Sequence, residues 1–281
     1  TMSSDTLIWS LMEWTHYIDI QPFGQAVNTA AQQDWMSAYP IFHWGPTVWA
    51  IYILPAVAYA LLIHRRKAAN QKLSEACRPV LGKYTDRLPG KLIDIVAITG
   101  LFVASASSFC FSVPVITKII SRFTGLPDNG VMSAIILGLI AIVFTYASLK
   151  GMKAISYLAR WCVVTYMAVL AVFFIFGNPG YILEAGLSSL GKIADNFFGM
   201  STWMDPLRVT GEGAAAFPQS WTVFYWAYWV ACFVATPIFI AKISEGRTVR
   251  QMILGGIGLG TAGTVMSFVI TGNYGIGQYL S

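Results

Sequence analysis

The chain has 281 residues, of which 56% are hydrophobic and only 11% are charged, and its formal net charge is +5. A soluble domain of this length needs far more polar surface, so the composition places the chain in a lipid bilayer. The positive charge reflects how lysine and arginine are distributed between loops, and it predicts no nucleic-acid partner.

Six apolar segments have the length of ~20 residues that a membrane-spanning helix needs. The sequence contains no series of alternating ten-residue strands, and the predicted fold class is therefore an all-α integral membrane protein. The predicted spans are 41–63, 93–117, 131–149, 155–177, 219–241 and 251–271. We interpret residues 1–281 as a single transmembrane domain that is truncated at both ends.

Three segments outside these spans are also assigned from the sequence. Residues 1–18 resemble the tail of a helix from an earlier span, and residues 19–40 are predicted to form an external loop because they are polar and contain Pro and Gly. Residues 178–216 are predicted to form a long external loop. An amphipathic helix near 187–200 is expected to lie along the membrane interface.

Basic residues set the predicted orientation. Fourteen of the 18 lysines and arginines lie in 64–91, 150–160 and 242–250, which follow the first, third and fifth spans. The positive-inside rule assigns these three regions to the cytoplasm and both chain ends to the outer side. The protein is thus a multi-pass protein.

Candidate reactive groups are few. The four cysteines are scattered without metal or redox spacing, and no histidine or serine pairing indicates hydrolysis. The glycines at 255–263 follow no strand, so they indicate close helix packing instead of a nucleotide loop. We predict no catalytic residue, metal site or cofactor.

The first span opens with an aromatic cluster in FHWGPTVWAIY. Trp49 and Tyr52 are three residues apart and adjacent on a helix face, while Trp44 precedes a Gly-Pro break and could fold over the same space. Interfacial anchoring is the alternative, because Trp and Tyr concentrate at both membrane surfaces.

The fifth span carries a second aromatic stripe in SWTVFYWAYWVAC. Its members recur at steps of three and four residues and share one helix face: Trp221, Tyr225, Tyr228, Trp229 and Cys232. Rings this far inside a span can offer their π faces to a cation. Asp94 is the only acid near the start of any complete span, which favours a permanently methylated cation over a protonated amine.

These motifs resemble those of a known family. SWTVFYWAYWV followed by IFIAKISEGRTVRQ resembles the signature of the betaine/choline/carnitine transporters, and FHWGPTVWAIY resembles the second aromatic segment of that family. The resemblance covers essentially the whole chain, including KLIDIVAI at 91–98. FHWGP and FPQSWTVFYWA are closest to the carnitine/γ-butyrobetaine antiporter branch.

The resemblance implies a LeuT-type fold of twelve spans, of which this chain would supply the fourth to the ninth. It also implies an aromatic substrate box of Trp44, Trp49, Tyr52 and Trp229. Tyr228 replaces the first Trp of the usual Trp-Trp pair, and Cys232 stands where relatives place another aromatic residue. A homotrimer in the cell inner membrane is a further family expectation.

Ion coupling is also inferred from the resemblance. Sodium-coupled members use two hydroxyl residues one turn apart in the second span, and the matching positions here are Leu101 and Ser105. In the antiporter branch a basic residue two positions after a Lys-Gly step takes the place of sodium, and Lys153 matches it. The alternatives are close helix packing for the small residues of that span and a positive-inside role for Lys153.

The predicted function is secondary transport of a trimethylammonium zwitterion such as carnitine, γ-butyrobetaine or glycine betaine, by exchange that does not need sodium. One alternative is a sodium-coupled carrier for betaine or choline uptake. Another, from a different class, is a non-transporting membrane subunit or osmosensor in which the aromatic stripe only packs helices. An enzyme is not expected, because no paired acids or histidine clusters face one another.

Overall fold

The computed structural model describes residues 2–19, 22–24, 29–68, 70–211 and 216–281, and within them the chain is helical with no strand. The α-helices are α1 (Met2–Met12), α2 (Ala30–Trp44), α3 (Pro46–Ala60), α4 (Leu73–Ala76), α5 (Arg78–Leu81), α6 (Leu88–Thr124), α7 (Gly130–Leu149), α8 (Met152–Phe176), α9 (Pro179–Thr202), α10 (Phe224–Ala231), α11 (Ala235–Ile243), α12 (Val249–Ser267) and α13 (Asn273–Leu280).

Five helical segments of the described chain are long and apolar enough to cross a membrane, and a bent helix pair makes a sixth. Each predicted span overlaps one of them, which confirms an all-α integral membrane protein. The segments are Ala30–Arg65, Leu88–Thr124, Gly130–Leu149, Lys153–Phe176, Val249–Leu280 and the pair Pro218–Ala231 with Ala235–Ile243. The LeuT-type arrangement of a complete transporter stays a prediction.

The first span begins earlier than the sequence predicts. Residues 30–40, assigned to an external loop, form most of α2, whose first turn is capped by the Thr29 hydroxyl accepting from the Gln32 N–H at 3.2 Å. Several of the polar residues that indicated a loop have partners on α9 instead. Asp34 pairs with Lys192 at 3.0 Å across that contact. The loop prediction is therefore wrong from residue 30 onward.

The long connection predicted at 178–216 is largely helical. Asn178 caps α9, and Pro179 occupies its first position, where a missing N–H costs nothing. The helix extends beyond the predicted 187–200 on both sides and packs against α2, where the Ser189 hydroxyl donates to Ser37 at 2.6 Å. Its position at a membrane interface stays a prediction.

The aromatic span is broken, although the sequence predicts a single helix over 219–241. Residues 232–234 form a turn between α10 and α11, and the two helices are bent by 58°. Pro237 has no N–H to bond the carbonyl of Phe233, so the regular hydrogen-bond ladder cannot pass this point. Cys232 is the first residue of this turn.

The glycine-rich helix α12 packs closely on α3. A Cβ added at Gly256 would overlap Ile53, and one added at Gly260 would overlap the ring of Trp49. The other predicted packing glycines, Gly255, Gly258 and Gly263, face open space. Close helix packing is therefore confirmed at two of these five positions.

The buried core lies where the helical turn 13–17 meets α2, α3, α9 and α10, and it is largely aromatic. Its largest fully buried side chains include Trp44, Trp229, Tyr17, Tyr52 and Tyr225. In contrast, α6, α7 and α8 expose many large apolar side chains, as expected of helices that face lipid or further spans.

Candidate functional site

Trp44 is held at the break between α2 and α3. It is the last residue of α2, and Gly45 follows in a conformation outside the helical region, with φ −84° and ψ −139°. A Cβ at Gly45 would lie 2.5 Å from the Ile41 carbonyl oxygen, so glycine is required for this close turn. The break turns the buried Trp44 ring towards α10, where its centroid lies 4.7 Å from that of Trp229.

Trp229 of α10 contacts the aromatic rings of α2 and α3. Its indole N–H donates to the His43 carbonyl oxygen at 3.1 Å, next to the break that follows α2. Its ring stacks on Tyr225 at 5.7 Å, and Tyr52 of α3 meets it edge-on at 6.4 Å. Rings from two spans that are far apart in the sequence thus converge.

A cavity of about 120 Å³ opens among these rings. Five of the six residues predicted to bind substrate line it: Trp44, Tyr52, Tyr228, Trp229 and Cys232. Helix α6 supplies a further wall that includes Ser105 and Ser108. Ligand pockets for drug-sized molecules are roughly 300–1,000 Å³. This cavity therefore suits a compact head group and not a whole large ligand.

Trp49 does not line the cavity. It lies against Gly260 of α12, and its indole N–H is 3.4 Å from the Thr264 hydroxyl. It touches the cluster through Tyr52, whose ring centroid is 6.4 Å away. The sequence places Trp49 and Tyr52 on adjacent helix positions, but the approach of α12 determines which of the two faces the cavity.

A carboxylate that the sequence reasoning missed also lines the cavity. Asp5 of α1 is 8% exposed, and it accepts a hydrogen bond from the Ser108 hydroxyl at 2.6 Å. Asp94 is the only acid near the start of a complete predicted span, but Asp5 lies outside those spans, so the inference that no carboxylate lies near the rings is wrong for this site. An acid inside an apolar helix tail is costly in a membrane, and that cost was the signal available in the sequence.

A second carboxylate lies behind the rings. Glu13 is fully buried, and its carboxylate accepts from the Trp44 indole N–H at 2.9 Å and from the Tyr225 hydroxyl at 2.8 Å. Tyr17 donates to it as well, and His43 Nδ1 lies 2.9 Å away. The carboxylate therefore fixes the orientation of two rings of the cluster.

His43 lies near the end of α2 and is completely buried. Its second ring nitrogen, Nε2, is 3.1 Å from the Thr222 hydroxyl. His43 thus links Glu13 to the beginning of the aromatic span.

A family model for betaine/carnitine/choline family transporters matches residues 1–281. The chain belongs to the betaine/carnitine/choline transporter family. It is 28% identical over 283 residues to a carnitine transporter of Acinetobacter baumannii, a match that covers 99% of this chain and 50% of that protein. It is also 28% identical over 284 residues to the uncharacterized transporter YeaV of Escherichia coli K12, covering 100% of this chain and 57% of that protein.

This family member spans about half the length of the curated relatives it matches. The matching model describes a family of transporters, and the apolar helices of the described chain fit a membrane environment. The substrate and the mode of exchange depend on the whole protein and are taken up below.

The two residues predicted to act in coupling lie in different environments. Ser105 lines the aromatic cavity, and its hydroxyl donates to the Leu101 carbonyl oxygen at 2.8 Å. Lys153 is exposed near the beginning of α8 and is not among the residues that line the cavity. The structure therefore brings only Ser105 to the rings.

Proposed function

We propose that the full-length protein is a secondary transporter of small trimethylammonium compounds, and that the aromatic cavity holds the methylated nitrogen. The observation that carries this proposal is the convergence of Trp44, Tyr52 and Trp229 around one cavity. These rings come from α2, α3 and α10, so a ligand among them contacts separate spans at once. Relative movement of those spans could expose the ligand to either side of the inner membrane.

The size of the interaction is adequate for such a ligand. A quaternary ammonium over an aromatic ring gains ~0.5–1 kcal/mol at an exposed site and ~2 kcal/mol or more when desolvated. Three rings therefore supply a few kcal/mol, and dissociation constants from millimolar to micromolar need roughly 4–8 kcal/mol. Contacts to the remainder of the substrate supply the difference.

A zwitterion such as carnitine, γ-butyrobetaine or glycine betaine is the first candidate substrate. The resemblance of the motifs to the antiporter branch supports it, and one relative is named a carnitine transporter. The carboxylate of such a substrate has to point away from Asp5, because two like charges in a small, partly apolar cavity repel one another.

A trimethylammonium alcohol such as choline is the second candidate, and Asp5 is the observation that favours it. Choline carries a positive charge and no carboxylate. A buried acid beside the rings would therefore balance its charge at close range.

Replacement of Asp5 with asparagine tests the choice between the two candidates. The asparagine side chain can keep the hydrogen bond with Ser108. If Asp5 faces the bound cation, D5N is expected to weaken choline binding at least about tenfold and carnitine binding less, because loss of the Asp5 charge also relieves its repulsion of the carnitine carboxylate. Binding to the purified full-length protein is measured by calorimetry. Asp94→Asn, outside the cavity, is the matched control. An equal effect of D5N on both ligands would exclude Asp5 as a charge selector.

We propose that exchange proceeds without sodium and that Lys153 stands in for a coupling cation. Uptake of radiolabelled substrate by proteoliposomes loaded with the same substrate should then be unchanged when external sodium is replaced by potassium. Lys153→Ala should slow exchange or make it sodium-dependent, while Lys150→Ala, at an exposed neighbouring lysine, should do neither. Uptake that collapses in potassium would refute the proposal.

A membrane subunit or osmosensor without transport activity is the rival from another class. Thermal-shift screening of the full-length protein against carnitine, γ-butyrobetaine, glycine betaine and choline, with and without sodium, separates it from a carrier. A carrier predicts stabilisation by at least one of these ligands. Assembly as a homotrimer is part of the same proposal and is checked by mass measurement of the detergent-solubilised protein.

A further inference from the structure

A second cavity, of about 350 Å³, lies where three helix ends meet, away from the aromatic cluster. One wall is the π-helical turn Leu61–Arg65 that follows α3. The others are the turn 244–247 after α11 and the first residues of α12. The lining residues that matter here are Leu61, His64, Arg65, Ser244, Arg247 and Val249.

The walls of this cavity are joined directly. His64 Nε2 lies 2.8 Å from the Ala241 carbonyl oxygen, and this hydrogen bond ties the end of the first span to the end of α11. Helices α3 and α11 also pack against one another along their lengths. The cavity is therefore a formed feature of the junction between the two spans that carry the aromatic rings.

Two arginines line the cavity without a carboxylate partner. Within the described residues, neither Arg65 nor Arg247 has an acidic oxygen within 4 Å. Arg78, on the same predicted cytoplasmic face, is different because it binds both Glu75 and Asp86 at 2.6–2.9 Å. These hydrogen bonds lower the pKa of Glu75 and of Asp86.

Glu245, the acid nearest to Arg247 in the sequence, does not pair with either arginine. Glu245 is exposed, makes no ion pair within the described chain, and is not among the lining residues. The guanidinium groups of Arg65 and Arg247 therefore keep donors available for an anion. Arginine suits a phosphate well, because its planar fork can make two parallel hydrogen bonds.

Apolar side chains line another part of the cavity. Leu61 is 41% exposed and Val249 is 42% exposed, and Ala60 and Met252 continue the apolar surface below them. A soluble phosphate would gain nothing from these groups. A phosphate attached to acyl chains would bury them, and basic pockets between helix ends on the cytoplasmic side are typical sites for anionic lipid head groups.

We propose that this cavity binds the phosphodiester head group of an anionic phospholipid from the cytoplasmic leaflet. Arg65 and Arg247 contact the phosphate, and the acyl chains extend past Leu61 and Val249 into the bilayer. A lipid bound there joins the end of α3 to the turn after α11 and to the start of α12, and it stabilises the junction of the first, fifth and sixth spans. This site does not depend on the identity of the transported substrate.

The test measures which lipid the full-length protein retains. The protein is purified from membranes of equal phosphatidylglycerol and phosphatidylcholine content. Bound lipid is counted by native mass spectrometry, and the affinity is measured from thermal unfolding during a phosphatidylglycerol titration. The pocket variant is Arg65→Gln with Arg247→Gln. The control is Arg66→Gln with Arg250→Gln, which removes two exposed charges beside the cavity that do not line it.

The expected result is selective retention of phosphatidylglycerol, with the pocket variant at least about tenfold weaker than the control variant. Equal losses in the two variants would mean a diffuse surface attraction and would overturn the proposal. So would retention of no phosphatidylglycerol, or saturation of the site by glycerol 1-phosphate alone, which lacks acyl chains. If the double variant does not fold, Arg65→Gln and Arg247→Gln are compared singly with Arg65→Lys, which keeps the charge.

Discussion

Replacing Trp229 with leucine is expected to weaken the binding of a trimethylammonium ligand about 30-fold, because a desolvated cation–π contact contributes ~2 kcal/mol. Trp229 also has a structural role, since its indole N–H donates to the His43 carbonyl oxygen. Leucine removes both the ring and the hydrogen bond. Phenylalanine removes the hydrogen bond and keeps an aromatic face, so the two variants separate the two roles.

The measurements are ligand affinity by calorimetry and thermal stability of the same monodisperse sample of full-length protein. A binding role predicts that W229F binds considerably more tightly than W229L although both lose similar stability. Trp161→Leu is the control, because Trp161 is an exposed Trp on α8 outside the cavity. A packing role predicts lower stability in W229F and W229L with unchanged affinity in the folded protein, and that outcome would end the case for an aromatic substrate box.

Replacing Glu13 with leucine is expected to prevent stable folding. The carboxylate accepts from Tyr17, Trp44 and Tyr225 and contacts His43, all in a fully buried setting. Each buried donor left without an acceptor costs about 1–3 kcal/mol. Three or four such losses approach the whole free energy of unfolding of an ordinary domain, about 5–15 kcal/mol.

Replacing Glu13 with glutamine is the milder test of the same network. The amide oxygen still accepts, but the NH₂ group then faces one or more donors, so the Trp44 and Tyr225 rings lose their fixed orientation. We expect E13Q to fold with reduced thermal stability and weaker ligand binding. Glu184→Gln, at an exposed glutamate of α9, should change neither quantity. Wild-type stability and affinity in E13Q would show that the Glu13 charge does not organise the rings.

The two tests are independent of one another. If W229F and W229L both bind normally, the substrate site lies elsewhere even if Glu13 supports the fold. If E13Q alone leaves stability and affinity unchanged, the rings can still hold a cation, and only the proposed role of Glu13 in orienting them is refuted. Together they separate the cavity from the structure that surrounds it.

Much of the architecture follows from the sequence alone. The length of the apolar segments determines the membrane spans. A bilayer offers no hydrogen-bond partners, so an apolar segment of about 20 residues satisfies its backbone N–H and C=O groups by forming a helix. The order and residue pattern of the two aromatic motifs indicate the family, and the match of the family model over residues 1–281 establishes it. The spacing of Tyr225 and Trp229 also places them correctly on one buried helix face.

Other features depend on contacts between segments distant in the chain, which local spacing does not encode. Polar residues 30–40 resemble a loop until α9 supplies partners for them, as Lys192 does for Asp34. Trp49 and Tyr52 are equivalent by periodicity, and only the close packing of Gly260 turns Trp49 away from the cavity.

The acids show the same division most clearly. In the sequence, Asp5 and Glu13 are two carboxylates in a short helical segment, far from either aromatic motif. Tertiary packing brings Asp5 to the cavity wall and Glu13 behind Trp44, because buried carboxylates need hydrogen-bond donors and α2, α6 and α10 provide them. Local composition thus determined the membrane spans and the aromatic residues in them. The positions of the carboxylates beside those rings were decided only by tertiary packing, because donors for these buried groups come from separate helices.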